Sequence, residues 1–459
     1  MRIIIIGGGQ VGTELSSRLS RDHDVVIIER DKDLANKLEN ELDVMVVEGN
    51  GASSTVLEQA GIKEAGLLIA VTETDEVNII ACMLAKKYGV TKTVARIRNP
   101  EYDHDGSVLT NEQLGIDHVI NPEAETAREI KKIIDFPGIN EIEYYADGAV
   151  KMIGLTVKPD NPMINTPLKD LRLPQQMIIA SIIRKDGEVL VPGGNDSFQA
   201  GDEVYLLAVR DSIDIHTILE RKERINRNIV IAGGGKVGFK LAELLENSLS
   251  LKTKVKLIEK NQERCQEIAA GLSRTVVLNG DVTNYNFLKA SEIDKADVFV
   301  AVTGDDEINL LSTLMGKKLG AKHTVSEVVR PDYNIILKTI GIDRVVSPRV
   351  LTAARIMRLI LKGQVISLTI LKEEKAEILE IILPKDAHVC GRELMNCGLP
   401  KGILVGAVSR GGKTFIPGGK DTLMPGDRIV VFSLHQRIKD IERLLAAPTR
   451  SITKIFRYN

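Results

Sequence analysis

The sequence predicts an α/β fold: two tandem doubly wound parallel-sheet domains, each followed by a small α+β subdomain. Three observations carry this. Short apolar runs alternate with helical stretches, as parallel strands covered by helices require. A glycine-rich turn stands directly behind the first apolar run, "IIIIGGGQVG" at residues 3–12, and recurs as "IVIAGGGKVG" at residues 229–238. Aromatic residues make up only 3% and Trp is absent, while Ile, Val and Leu abound, a composition suited to strands buried on both faces.

In chain order, the first half offers the strand-like runs "RIIIIG", "DVVIIE", "VMVVEG", "GLLIAVT", "KTVARIR" and "HVIN", separated by helix-like stretches such as "GTELSSRLSRD". A module of short strands follows, "VKMIGLTV", "MIIASIIR" and "EVYLLAV", punctuated by Pro-Gly-Gly and Ala-Gly-Asp turns. The whole pattern then repeats. "AGLLIAVTETDEVNIIACMLAKK" from Ala65 is answered by "ADVFVAVTGDDEINLLSTLMGKK" from Ala296, "LGIDHVINPEAETA" by "IGIDRVVSPRVLTA", and "VPGGNDSFQAGDEVYLL" by "IPGGKDTLMPGDRIVVF". The 459 residues are thus a duplication of a unit of about 225. Expected boundaries are a parallel-sheet domain at 1–122, a helical segment at 123–139 and a small module at 140–222. A linker at 223–227 leads to the second copy at 228–348, 349–366 and 367–447, with a basic tail at 448–459. The charged run "LERKERINRN" connects the halves.

Gly7, Gly9 and Gly12 lie between a predicted strand and a predicted helix, where a dinucleotide site needs them: one for the tight turn, one for approach of pyrophosphate, one for helix packing. The helix N-terminus, with Gln10 and Val11, presents free N–H groups and a partial positive charge to phosphate. Glu29 closes the second strand at the spacing expected of a carboxylate that accepts hydrogen bonds from ribose hydroxyls. Gly233, Gly235, Lys236, Val237, Gly238 and Glu259 repeat the arrangement. A carboxylate there repels a 2′-phosphate, so NAD(H) is expected over NADP(H), and ATP or ADP, with the same ribose, remain compatible. Asn50 and Asp281 follow the third strands and are placed to meet the adenine end, or simply to form turns. Thr72 and Thr303 end the fourth strands on the ligand side. Asp75, Asn78, Asp306 and Asn309 fit either a ligand role or the start of the following helix. Arg98 fits a phosphate contact; Val329 stands at its place in the second half, so the two sites are expected to differ.

Other classes are disfavoured. Lys plus Arg number 61 against 63 Asp plus Glu, a net charge of −2 without a clustered basic face, so nucleic acid is not an expected partner. Cys82, Cys265, Cys390 and Cys397 match no zinc or redox spacing and read as reduced thiols. Neither an export signal nor an apolar run of membrane-spanning length is present, which makes a soluble, at most peripheral protein the expectation. The seven histidines do not recur at equivalent places, and neither catalytic residues nor metal ligands are identified. Two nucleotide sites without visible chemistry point to a sensor.

The glycine turn, the acidic strand end, "VTETDEVN", "ARIRNPEY", "GIDHVINP" and the small module with "VPGGNDSFQAGDEVYLL" together closely resemble the regulator-of-potassium-conductance (RCK), or KTN, domains. The resemblance covers nearly the whole chain. It implies a cytoplasmic protein, peripheral on the inner face of the cell membrane, that binds NAD(H) and in related members ATP or ADP. It also implies a homo-oligomeric ring, with four chains expected, beneath a Trk-type potassium-translocating membrane subunit, gated by nucleotide-dependent rearrangement. By the resemblance, the first site uses Gly7, Gly9, Gly12, Glu29, Asn50, Thr72 and Arg98, and the second Gly233, Gly235, Gly238, Glu259, Asp281 and Thr303. The segments from Pro122 and Pro348 cross over to pair one nucleotide-binding domain with another, though "EIKKIIDF" and "ARIMRLIL" also suit packing within one domain. The small modules resemble the family's C-terminal subdomain (RCK_C). The alternatives are an NAD-dependent oxidoreductase and a regulatory subunit of another cation transport system.

Overall fold

A computed structural model describes residues 1–20, 23–99, 102, 109–136, 139–171, 176–209, 228–247, 253–330, 333, 341–360, 365–371, 376–437 and 440–441. The linker at 223–227 and the basic tail at 448–459 lie outside the described residues. The chain divides into two compact units: Met1–Asp135 with Ile225–Met357, and Phe136–Arg224 with Arg358–Asn459. One unit joins the two glycine-turn halves and the other joins the two small modules.

The first half runs β1 (Arg2–Ile6), α1 (Gln10–Leu19), β2 (Asp24–Glu29), α2 (Lys32–Glu41), β3 (Met45–Glu48), α3 (Ser54–Gln59), β4 (Ala65–Ala70), α4 (Asp75–Lys87), β5 (Lys92–Arg96), β6 (His118–Ile120) and α5 (Pro122–Asp135). Its module holds β7 (Ile139–Tyr145), β8 (Val150–Thr156), β9 (Met177–Ile183), β10 (Val189–Leu190) and β11 (Glu203–Val209). The second half runs β12 (Asn228–Ala232), α6 (Lys236–Glu246), β13 (Lys254–Glu259), α7 (Gln262–Gly271), β14 (Val276–Asn279), α8 (Tyr285–Ala290), β15 (Val298–Ala301), α9 (Asp306–Leu319), β16 (His323–Glu327), β17 (Arg344–Val346) and α10 (Pro348–Ile360). β18 (Val365–Leu371), β19 (Ala376–Ile382), β20 (Ile403–Arg410), β21 (Lys413–Phe415) and β22 (Arg428–Leu434) complete the second module.

Both halves form six-stranded parallel sheets, ordered β3-β2-β1-β4-β5-β6 and β14-β13-β12-β15-β16-β17. Ile3, Ile4 and Ile5 are fully buried, which explains an unbroken apolar run where a one-sided strand would alternate. Strand order reverses between β1 and β4, and the crevice at the carboxyl ends of these strands is where open α/β sheets bind ligands. Helix starts are set by short polar side chains: Asp31 accepts Leu34 N–H at 2.8 Å and Asn261 accepts Arg264 N–H at 2.9 Å.

α5 places its apolar stripe on the other half. Ala127, Ile130 and Ile134 share a core with Val237, Leu241, Ala242 and Leu245 of α6. Burying a side chain such as Ile130 is worth roughly 1.5–3 kcal/mol, so this helix adheres firmly to α6.

In the second unit the modules are five-stranded antiparallel sheets, ordered β10-β9-β11-β8-β7 and β18-β19-β22-β20-β21. They share a core that includes Tyr145, Met152 and Leu207 from one and Ile378, Ala407 and Phe432 from the other. Polar contacts add to it: Ala146 N–H donates to Glu380 at 2.7 Å, and Arg428 pairs with Asp147 at 2.6 Å.

Candidate functional site

At the reversal point in strand order, the first glycine turn has a geometry that only glycine satisfies. Gly7 has φ +100°, in the region that side chains avoid. A Cβ on Gly12 would lie 1.9 Å from the Gly7 carbonyl oxygen, so helix α1 meets the turn only because that Cβ is missing. Gly233 (φ +113°) and Gly238 (1.9 Å from the Gly233 oxygen) repeat both constraints. Gly9 and Gly235 differ: no atom lies within 4 Å of a Cβ built there. These are the open points of each turn, where a phosphate has room to approach backbone N–H groups.

The acidic strand ends are wired into the turns. Glu29 accepts Gly8 N–H at 2.6 Å and Asp31 N–H at 2.8 Å; Glu259 accepts Gly234 N–H at 2.8 Å and Asn261 N–H at 2.8 Å. Each carboxylate therefore fixes the middle glycine and the loop ahead of the next helix.

The Thr-Asp-Asn pattern proves to be a pair of clamps. Asn78, fully buried, accepts from the Thr72 N–H and hydroxyl (3.0 and 2.7 Å) and donates to the carbonyls of Thr72 and Arg96 (3.1 and 2.8 Å). Asp75 accepts the N–H groups of Arg98 and Asn99 (2.9 and 2.8 Å). Asn309 and Asp306 do the same in the second half: Asn309 holds Thr303 and the Glu327 carbonyl, while Asp306 holds the N–H groups of Val329 and Arg330. Together these side chains, all in the first turn of the following helix, tie the end of a fourth strand to the end of a fifth and so rigidify the crevice floor.

A cavity of about 730 Å³ opens at the first turn. Of the sequence candidates, Gly7, Gly9, Gln10, Val11, Glu29, Asn50 and Thr72 line it, and Gly12 lies behind it in the turn. Arg98 does not line it. β5 ends at Arg96, and the Arg98 guanidinium donates to the Glu73 carbonyl and lies 3.8 Å from Asp75, whereas Arg96 faces the cavity. The far wall comes from the second half: Val237, Gly304, Glu327, Val329, Pro348 and Arg349. The cavity thus runs from the first glycine turn to the ends of β15 and β16.

The other second-half candidates, Gly233, Gly235, Lys236, Gly238, Glu259, Asp281 and Thr303, cluster around their own turn. Asp281 accepts from the Thr283 hydroxyl and N–H (2.7 and 2.8 Å) and lies 3.5 Å from Lys260, contacts that hold its carboxyl below the usual range. Asn50 makes the corresponding local turn by accepting Ala52 N–H at 3.0 Å.

Among the charged residues in the cavity wall that escaped the sequence reading are Arg96, Glu123, Glu327 and Arg349. Arg96 pairs with Glu123 at 3.4 Å, and Arg349 pairs with Glu14 at 3.2 Å. Glu327 is buried, and desolvation, with Asp306 and Glu123 nearby, pushes its carboxyl up to about 7. One atom of each lacks a hydrogen-bond partner: Arg96 Nε, Glu123 Oε2, Glu327 Oε2 and Arg349 Nε. A signal existed in the repeat, since Glu327 stands at the rung of Arg96 and Arg349 at the position of Glu123, each with reversed charge. Among the described residues no cluster of three His, Cys, Asp or Glu is placed to hold a metal, and no helix is long and apolar enough to cross a membrane.

Comparison with known proteins agrees with this architecture. The TrkA-N domain family matches residues 3–122 and 229–348, and the TrkA-C domain family matches 152–214 and 378–446. The chain is 36% identical over 451 residues to the Trk system potassium uptake protein TrkA homolog 1 of Methanosarcina mazei, covering 96% of this chain and 99% of that protein. It is 34% identical over 454 residues to the Trk system potassium uptake protein TrkA of Halomonas elongata, covering 97% and 98%. Among solved structures, a GsuK channel bound to NAD matches with a TM-score of 0.63 at 20% identity, over 97% of this chain and 79% of that one. The GsuK RCK domain matches with a TM-score of 0.62 at 19% identity, over 97% and 95%. At such identities the structural likeness establishes the fold.

Proposed function

The chain belongs to the family of tandem TrkA-N and TrkA-C domain proteins, and from that premise we propose that it is the nucleotide-sensing regulatory subunit of a Trk-type potassium uptake system. The observation that carries this reading is the cavity at the first glycine turn, whose near wall has the features of a dinucleotide site and whose far wall belongs to the second half. A nucleotide seated there touches both halves. Its affinity then depends on their relative placement, which is the condition for a ligand to shift a conformational equilibrium.

NAD(H) is the ligand we favour, with ATP and ADP as competitors for the same ribose and phosphate contacts. Gly9, Gln10 and Val11 would face the pyrophosphate, Glu29 the ribose hydroxyls and Asn50 the adenosine end, with Arg96 rather than Arg98 available to phosphate. The second turn would hold a nucleotide with Gly235, Lys236, Glu259, Asp281 and Thr303. Bound nucleotide would change the angle between the halves, and a ring of chains, four in our reading, would pass that change to a potassium-translocating subunit at the inner face of the membrane. A differential affinity corresponding to about 1–3 kcal/mol is enough to bias such a gate. The proposal assigns the protein no chemical turnover.

The test is calorimetric titration of nucleotide-stripped protein with NADH, NAD+, NADPH, ATP and ADP, repeated on Gly9→Ala and Gly235→Ala. NADH binding that each variant reduces, followed by nucleotide-dependent potassium flux in liposomes with a Trk-type membrane subunit, supports the reading. Failure of every nucleotide to bind overturns it. Turnover of a hydroxy acid, alcohol or aldehyde with NAD+ would favour an oxidoreductase instead.

A further inference from the structure

The seam between the two halves carries an exchange of charge that the nucleotide reading does not use. In each half, the helix after the sixth strand reaches toward the first helix of the other: α5 packs on α6, and Arg349 at the start of α10 contacts Glu14 of α1. Glu14 and Lys240 occupy the same position, each five residues beyond the open glycine of its turn. Glu123 and Arg349 occupy another, each directly after the proline that opens its helix. At both positions the two halves bear opposite charges.

We propose that these positions form a pairing code, Glu14 and Glu123 on one half against Lys240 and Arg349 on the other, which directs each first half to a second half and rejects copies of itself. The contact that shows the code at work is Glu14 Oε2 to Arg349 Nη2 at 3.2 Å, between side chains only 17% and 19% exposed. Solvent screens a pair this enclosed weakly. If two first halves met in the same manner, Glu14 would face Glu123. If two second halves met, Lys240 would face Arg349. Either like-charge contact penalises the wrong partner, the usual device by which an interface gains specificity. The device matters in an assembly of identical chains, because every first half then encounters other first halves with the same apolar surface.

The reciprocal positions, Glu123 and Lys240, are engaged within their own halves. Lys240 is held by Glu243 at 2.5 Å and Glu123 by Arg96 at 3.4 Å, so Glu14 and Arg349 carry the larger share. Arg96 and Glu327 also exchange charge between the halves, but Glu327 has Glu123 nearby, and that neighbour does not contribute to the code.

Two variants of the chain test the proposal. Arg349→Glu sets like charges against each other at the Glu14 contact. Adding Glu14→Arg restores opposition with the two signs exchanged. The thermal unfolding midpoint of the single variant is expected to fall by several degrees. The double variant is expected to recover most of that loss and to keep the parent's molar mass by light scattering. A single variant that melts with the parent overturns the proposal, and so does a double variant that melts as low as the single one. Because both readouts concern pairing and neither needs nucleotide, the outcome is independent of whether the glycine turns bind NAD(H).

Discussion

The carboxylate of Glu29 accepts the backbone N–H of Gly8 at 2.6 Å, and the equivalent bond from Gly234 to Glu259 is 2.8 Å long. The acid that would read the ribose thus also shapes the turn that would hold the pyrophosphate. Glu29→Ala leaves the N–H groups of Gly8 and Asp31 without their acceptor, so it should cost about 1–3 kcal/mol of stability as well as nucleotide affinity. Glu29→Gln removes the charge and keeps one acceptor oxygen, but its NH2 group faces the second of the two N–H donors, which sit on different oxygens of the carboxylate. It should therefore lower the melting midpoint less than Glu29→Ala does while narrowing the preference for NADH over NADPH, which calorimetric titration of the two ligands measures.

Gly9 and Gly12 separate binding from folding. A methyl group on Gly12 would overlap the Gly7 carbonyl, whereas one on Gly9 meets nothing within 4 Å, and Gly9 has an ordinary φ of −64°. Gly12→Ala should force the turn apart and lower the unfolding midpoint sharply. Gly9→Ala should melt with the parent yet fail to bind nucleotide, because its methyl group occupies the approach to the phosphate-facing N–H groups. Differential scanning fluorimetry with and without NADH distinguishes the two behaviours.

Asn78 makes four hydrogen bonds from a fully buried position. Asn78→Ala strands the Thr72 N–H and two carbonyls, and a loss on the order of 3 kcal/mol is expected. Asn309→Ala should also destabilise, since it strands the Thr303 N–H and the Glu327 carbonyl. Urea unfolding of both variants checks the figure.

The clamps show where sequence reasoning reached its limit. The sheets were legible because the strands are short apolar runs, the first of each set leading into a glycine turn, and the repeat supplied the pattern twice. Glu29 and Thr72 were legible as crevice residues because strand ends face the ligand side in this topology. Asn78 was ambiguous between ligand and scaffold: its partners lie on β4 and β5, and only the folded sheet brings those strand ends together. Arg96 and Arg98 were harder still. They are two residues apart, and on an extended strand they would share a face, but β5 stops at Arg96, so Arg98 follows the loop and turns to Asp75. The cavity's far wall was legible only indirectly, through the reversed charges in the repeat and the crossover from Pro348 that the resemblance implies, because nothing in the local pattern of β16 or α10 says which half those residues will face.

Glu327 supplies a pH prediction with a definite sign. Burial, with Asp306 and Glu123 nearby, raises its carboxyl from 4.5 to about 7, so between those values the folded protein keeps a proton that the unfolded chain has released. Where the folded state binds more protons, stability falls as pH rises. This group therefore contributes fully below about pH 4.5, loses its contribution progressively up to about pH 7, and stays constant above that. At 1.36 kcal/mol per unit the loss amounts to roughly 3 kcal/mol. Glu327→Gln mimics the protonated carboxyl at every pH, so its advantage over the parent should be absent at pH 4 and grow to that size by pH 8. Carboxylates distant from Glu327 titrate alike in both proteins and cancel in the difference. Paired denaturant titrations across this range measure it, and an advantage that does not change with pH would mean that Glu327 ionises as an ordinary surface acid does.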